Sequence, residues 1–471
     1  MRVRKNVWKL EDDTLVWYGR AIAAMQKRPI HDPTSWRYQA AIHDYDEAAD
    51  PLAVAHEKLP ADRDTYWKQC QHGSWFFLPW HRMYLRYFED IVAAAVAKLG
   101  GPADWALPYW NYSASAANAR LPPAFREPKL ADGTVNPLYV EARAPGVNAG
   151  GPFADSHDTD IAACLKDPVF ASSTTGSAAG FGGPETQFHH DPGVVGLVEA
   201  TPHGSIHSAV GGDGGWMSAF NTAPLDPIFW LHHANIDRLW EVWRHRAQGD
   251  VNPGDAAWLA QTFPFHDRTG APVEMSPQQV LATTALGYQY DDTHDPLVTV
   301  KAITPPPKQA ATPPHIPPEL IGATAAPTKL DEDAPSAASF PVTLPKAPGR
   351  AAFVEASTSG HKVFLNLEQI TATAKAPPYD VYINVPDGAD PLAHRQLYVG
   401  RMPLFGVAES ARKSATHHGG GLHYVFDISD TYRGLAAQSG WDPTTLRVSF
   451  LPARAGKGAV VHVGRISLYV Q

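Results

Sequence analysis

A break in pattern near residue 303 constrains this chain most, because the sequence before it and the sequence after it obey different periodicities. Before the break, apolar residues recur at helical spacing. Leu10, Leu15, Tyr18, Ile22 and Met25 fall on one face, and Asp32-Pro33-Thr34-Ser35 offers a helix start before Trp36, Gln39, Ala40 and His43. A longer helix is predicted from Pro79-Trp80-His81 through Tyr84, Leu85, Phe88, Ile91 and Val92. A short one fits Thr201-Pro202-His203 to Val210, with Pro suited to the first turn. Another runs from Asp226-Pro227 through Ile228, Leu231, Ile236, Leu239, Trp240 and Trp243. Stretches 113–185 and 246–300 read as long irregular connections, which in compact domains tend to cover functional sites.

The break itself, Thr304-Pro-Pro-Pro-Lys through Ala338, is rich in Pro, Ala and Thr and reads as an extended linker. Short β-like runs follow at Ala351–Ala356, Lys362–Leu367, Tyr379–Val385, Gln396–Val399, Leu422–Ile428, Leu446–Leu451 and Val460–Val470, separated by Asp/Gly/Pro-rich turns. The expected architecture is therefore mainly α. A helical-bundle domain covers 1–302, a Pro-rich linker 303–345, and a β-sandwich or barrel 346–471. A length of 471 residues makes two domains the prior.

Composition excludes more than it assigns. A net charge of −9 without a basic stripe argues against a nucleic-acid partner. No apolar run approaches a membrane helix. The basic start runs into Leu10-Glu-Asp-Asp without an apolar core, so no secretory signal is read and a cytoplasmic location is expected, with export by a helper protein left open. Two cysteines, Cys70 and Cys164, make no disulfide framework.

The histidines carry the chemistry. His72 lies in a loop feeding the helix that begins near His81, a pair that alone would read as incidental polar positions. His203-Gly-Ser-Ile-His207 places two imidazoles at i and i+4, close enough to share a metal. Asp226-Pro-Ile-Phe-Trp-Leu-His232-His233-Ala-Asn-Ile-Asp237 puts further imidazoles on another helix. Histidines embedded among Trp and Phe are costly unless something satisfies them, and a metal would. A zinc hydrolase of the His-Glu-x-x-His type needs a carboxylate where Gly204 stands, and a di-iron bundle needs Glu-x-x-His pairs that are missing here. An all-imidazole set suits copper or zinc, and two adjacent three-His sites suit a copper pair that works with O2.

Both segments resemble the two copper signatures of the tyrosinase, catechol oxidase and molluscan haemocyanin superfamily. His72, Phe77, Trp80-His81-Arg82 and Glu89 match the first; Asp226-Pro227, Phe229, Trp230, His233 and Asp237 match the second. Leu107-Pro108-Tyr109-Trp110-Asn111 is similar to a segment between them. The resemblance covers residues 1–300 and, more weakly, the β domain. It implies His43, His72 and His81 as ligands of copper A, and His203, His207 and His233 as ligands of copper B. His31 and His56 compete with His43, which is preferred for its helical, aromatic-flanked setting, and His232 is implied to lie behind the ligands. The resemblance further implies a thioether between Cys70 and His72, and a water-holding base at Glu199. Phe220 is implied to be a bulky residue over copper A, with Phe229 packed under the substrate ring. Strong bacterial tyrosinases of the family carry Asn where Gly204 stands, so diphenol oxidation to o-quinones is expected more firmly than monophenol hydroxylation. By the same resemblance the β domain shields the copper site in a latent proenzyme, with Leu404 or Phe405 of Arg401–Gly406 as the placeholder side chain and the linker as the activating cleavage site. His417-His418-Gly-Gly-Gly-Leu-His423 is read as a turn, not a third metal site. The implied partners are a phenolic small molecule and O2, and a homo-oligomer is compatible with the sequence. The competing readings are an O2 carrier of haemocyanin type and an o-aminophenol oxidase.

Overall fold

The computed structural model describes residues 1–172, 175–187, 194–246, 251–297, 317–343, 362–411, 419–438 and 440–471. The chain divides into two compact units. The first comprises Met1–His72, Phe76–Phe170 and Ile206–Thr304; the second comprises Gly73–Trp75, Ala171–Ser205 and Pro305–Gln471.

The first unit is helical. Its helices are α1 (Thr14–Gln26), α2 (Trp36–His43), α3 (Arg63–Tyr66), α4 (Phe77–Lys98), α5 (Ala162–Lys166), α6 (Ser205–Gly211), α7 (Ile228–Arg244) and α8 (Ala256–Ala260). The expected helices are all present. Helix α4 begins two residues earlier than Pro79, and 113–185 is largely irregular as read, with only short helices inside it. The stretch 246–300 is less irregular than the sequence suggests. It holds α8, the hairpin β2 (Phe263–His266) with β3 (Pro272–Met275), and β4 (Tyr288–Tyr290), which pairs in parallel with β1 (Arg2–Arg4).

Helix α2 starts where Ser35 accepts a hydrogen bond from Tyr38 N–H, a cap of the kind that adds about 1 kcal/mol. Helix α7 starts at Asp226-Pro227. The Asp226 carboxylate accepts from Ile228 N–H at 3.1 Å and from Arg143 at 2.7 and 2.8 Å. Helices α4 and α7 are buried on almost every side, as the central helices of a bundle must be. Phe88 and Trp230 stack at 3.3 Å between ring centres, and Tyr84 and Trp36 close on the same indole.

A buried ionic network ties these helices to the chain ends of the unit. Arg82 ion-pairs with Asp237 and, at 2.8 Å, with Glu241. Arg4 ion-pairs with Glu89 at 2.7 Å and Asp237 at 3.2 Å, and its guanidinium lies 3.7 Å from the centre of the Tyr288 ring. Tyr288 and Tyr290 both donate to Asp237, at 2.6 and 2.5 Å. Burial would push the Asp237 carboxyl up, but Arg82 and Arg4 outweigh it and hold it below its ordinary range. Glu89 also accepts from Leu107 N–H at 2.9 Å, which anchors the Leu107–Asn111 segment.

The second unit is built on two β-sheets. The first has the order β10 (Tyr398–Met402), β9 (Tyr379–Ile383), β12 (Thr445–Pro452), β7 (Ser336–Pro341). The second has the order β11 (Leu422–Asp427), β8 (Val363–Ala372), β13 (Val461–Val470), β5 (Glu319–Ala323), and β6 (Thr328–Leu330) pairs with β13. All these pairings are antiparallel. Leu365, Leu367, Val381, Ile383, Val448, Phe450, Val463 and Leu468 from both sheets meet in one core. Reading 303–345 as linker fails for 319–341, which supplies three strands. The small side chains of Ser336-Ala-Ala-Ser still pair fully with β12, so low hydrophobicity there marks an edge strand rather than a spacer. The β domain therefore starts near 317, not 346. The run at 351–356 and the residues His417 and His418 lie outside the described residues. Among the described residues no helix is long and apolar enough to cross a membrane.

Segment Ala171–Ser205 belongs with these sheets. Asn366 donates to Gly176 O at 3.1 Å, Val194 bridges to His423, and Val195 N–H donates to His423 O at 2.9 Å.

Candidate metal centre

The structure gathers the predicted histidines into two buried groups. His43, Cys70 and His72 have ligand atoms within 4.8 Å of one another, as do His203, His207, His232 and His233. His43 ends α2 and is fully buried, whereas His31 and His56 are exposed. His81, one turn into α4, stacks on His233 of α7 with ring centres 4.5 Å apart, and lies 5.4 and 5.8 Å from His72 and His43. His207 and His233 approach Nε2 to Nε2 at 3.3 Å; His43 and His72 do so at 3.4 Å.

The orientation of four of the rings has a local cause. Nδ1 of His43 faces Phe220 O at 2.9 Å, that of His81 faces Phe77 O at 2.8 Å, that of His203 faces Glu199 O at 3.1 Å, and that of His207 faces Met217 O at 2.7 Å. A carbonyl only accepts, so each of these imidazoles carries its hydrogen on Nδ1 and presents the Nε2 lone pair. Burial pushes the His43 imidazole down to about 3 and His207 well below its ordinary value, so both are neutral near pH 7. Neutral imidazoles whose lone pairs converge in an apolar interior repel one another and are relieved by a cation between them. The residues thus fit copper, which favours imidazole nitrogen.

His232 belongs to the second of these buried groups. Its Nδ1 lies 3.1 Å from Tyr112 Oη, and its ring centre is 4.8 Å from that of His207. Phe229 packs on His233 at 4.1 Å and on His43 at 5.3 Å. Phe220 stacks on His72 at 4.6 Å with an interplanar angle of 17°.

Glu199 opens the turn of π-helix, Glu199–Gly204, that precedes α6. Both of its carboxylate oxygens lie 3.0 Å from Gly73 N, which donates to them. Gly73, next to His72, sits at φ +59°, where a side chain would be strained. Burial pushes Glu199 up to about 8, against the opposing pull of the Gly73 and Gly196 N–H groups. Gly204 is buried beside Pro403. The two placeholder candidates part company. Leu404 joins the β-domain core, while the Phe405 ring stands edge-on to His203 at 5.7 Å.

Comparison with known proteins accords with this centre. Residues 33–246 match the model of the common central domain of tyrosinase, 252–302 the polyphenol oxidase middle domain, and 317–471 a domain of unknown function (DUF7868). A tyrosinase of Hahella sp. is 36% identical over 489 residues, covering 100% of this chain and 99% of the relative. The chain belongs to the tyrosinase family of copper oxidoreductases. A chloroplastic polyphenol oxidase of Malus domestica is 28% identical, covering 83% of this chain and 67% of its own length. The fold matches the solved structure of latent apple tyrosinase with a TM-score of 0.65 at 23% identity, over 99% of this chain and 97% of that one. The two histidine groups are those of a type-3 dicopper site, and a phenolic substrate with O2 is what the family implies.

Sequence reasoning missed the acceptors that aim the ligands. Phe77 O, Met217 O and Phe220 O are backbone atoms, and no side-chain pattern encodes them.

Proposed function

We propose that this chain is a polyphenol oxidase whose copper A is held by His43, His72 and His81 and whose copper B is held by His203, His207 and His233. Bound there, a copper pair supplies two-electron oxidation of an o-diphenol to an o-quinone at the expense of O2. The chain's own contribution is a dry, pre-aimed set of nitrogens, and the carbonyl-bonded Nδ1 atoms are the observation that carries this reading. Phe220, stacked on His72, narrows the approach to copper A, and Phe229 holds the His233 and His43 rings in place.

Glu199 is the proton acceptor for an incoming phenol, a role supported by its burial in the turn that carries His203 and by its hydrogen bonds from Gly73 N–H beside His72. Gly204 offers no side-chain amide to help orient a water beside it, so diphenol oxidation outpaces monophenol hydroxylation. Cys70, buried beside His43 and His72, forms a thioether to the His72 ring. The new S–C bond replaces the S–H and a ring C–H, and O2 at the copper site takes the two electrons and two protons.

Phe405 is the placeholder side chain, supported by its edge-on contact with His203, and the enzyme is latent until the chain is cut near 303–316. Activity on a matched catechol and monophenol, with copper quantified before and after limited proteolysis, tests the whole reading. Two coppers per chain, catechol turnover above monophenol turnover and a gain on cleavage are expected. Reversible O2 binding without turnover, before or after cleavage, would instead make the protein a carrier.

A further inference from the structure

The turn Pro403–Gly406 follows the end of β10 at Met402, beside Arg401, whose guanidinium makes a buried bidentate pair with Asp380 at 2.8 and 3.0 Å. The strand is thereby fixed, but the turn beyond it needs anchors of its own. Two are present within the second unit. Tyr424 of β11, buried, donates its hydroxyl to Pro403 O. In addition, a Cβ added to Gly204 would lie 3.3 Å from Glu199 O and 3.4 and 3.5 Å from Pro403 Cγ and Cβ, so the proline ring rests on the bare glycine. Even one more carbon needs a small shift of the Glu199 carbonyl, and a longer side chain needs a larger one.

We propose that Gly204 and Tyr424 are positioning residues that seat Pro403 between them and so hold Phe405 against His203. Residue 204 therefore governs how firmly the copper-B side is covered, apart from any effect on which phenol is accepted. This rests on the reading of Phe405 as placeholder given above. The neighbouring residue of β11, His423, fastens Val194 and Val195, so one strand holds both the turn and the segment that carries His203.

Hydrogen–deuterium exchange of the Leu404–Val407 amides in the full chain tests the seat without any turnover. Tyr424→Phe keeps the ring and removes one neutral hydrogen bond, so exchange rises about 2- to 10-fold. Gly204→Asn displaces Pro403 and raises exchange at least as far, and Gly204→Ala raises it less. Unchanged exchange in Tyr424→Phe overturns the proposal, and that variant keeps the test open should Gly204→Asn not fold. Catechol turnover separates the two layers. If uncut wild type is already as active as cut enzyme, the placeholder reading fails while the exchange result still judges the seat. If latency holds, uncut Tyr424→Phe gains activity and matches wild type after cleavage.

Discussion

Four imidazoles of the centre, those of His43, His81, His203 and His207, are aimed by backbone carbonyls, so single side-chain changes there should separate metal binding from proton handling. His81→Ala should abolish catechol turnover and leave less than two coppers per chain by elemental analysis; a full complement of metal would remove His81 from the ligand set. Glu199→Gln should keep both coppers and lower kcat for a monophenol about 10²-fold, with a smaller loss for a diphenol. Equal losses on both substrates would instead assign Glu199 to holding Gly73, and through it His72. Copper-loaded, O2-exposed wild type should weigh two hydrogens less than its sequence, and Cys70→Ser should not; a Cys70 that alkylates freely speaks against the thioether. The gathering of the histidines was legible, because the segments His72 to Glu89 and Asp226 to Asp237 carry the family's signatures and the structure brings their histidines into buried groups. Their second contacts were not, since a carbonyl such as Met217 O has no residue identity to read.

At the level of elements, the helices announce themselves and the edge strands do not. Helix α4 follows from apolar residues at helical spacing, and its buried Arg82 requires the acids on α7 that receive it. Strand β7 is small and polar enough to resemble linker, and only its pairing with β12 makes it a strand. Likewise nothing near Arg4 foretells Glu89, Tyr288 and Tyr290, because β1 reaches them only through its parallel pairing with β4. Arg4→Met leaves Glu89 and part of Asp237 uncompensated in the interior and should cost about 3–5 kcal/mol in urea unfolding. The pH dependence follows from the depressed Asp237. Its contribution is present above the unfolded carboxyl value and is lost as pH falls through the lower folded one. Without Arg4 that folded value rises, so acid unfolding should begin at higher pH than in wild type. A superimposable acid transition would show the network to be neutral.

Across the whole chain, the division near 303 was visible in composition, but the assignment of 171–205 to the β-rich unit was not. That segment carries Glu199 and His203 and is held by Asn366 and His423, partners more than two hundred residues downstream for His423 and Val194. Limited proteolysis should accordingly cut in 303–316 before it cuts in 319–341, since the latter is strand; first cleavage inside β7 would contradict that placement.

The aromatic packing around α4 also makes the metal visible to light. Trp80 lies with its ring centre 4.8 Å from that of His81 and 6.3 Å from that of His43. A paramagnetic or redox-active ion at those nitrogens drains an excited indole at such range. Loading the apoprotein with copper should dim its tryptophan emission, chelation should restore it, and Trp80→Phe should shrink the change. Emission that ignores copper would put the metal somewhere other than beside this helix.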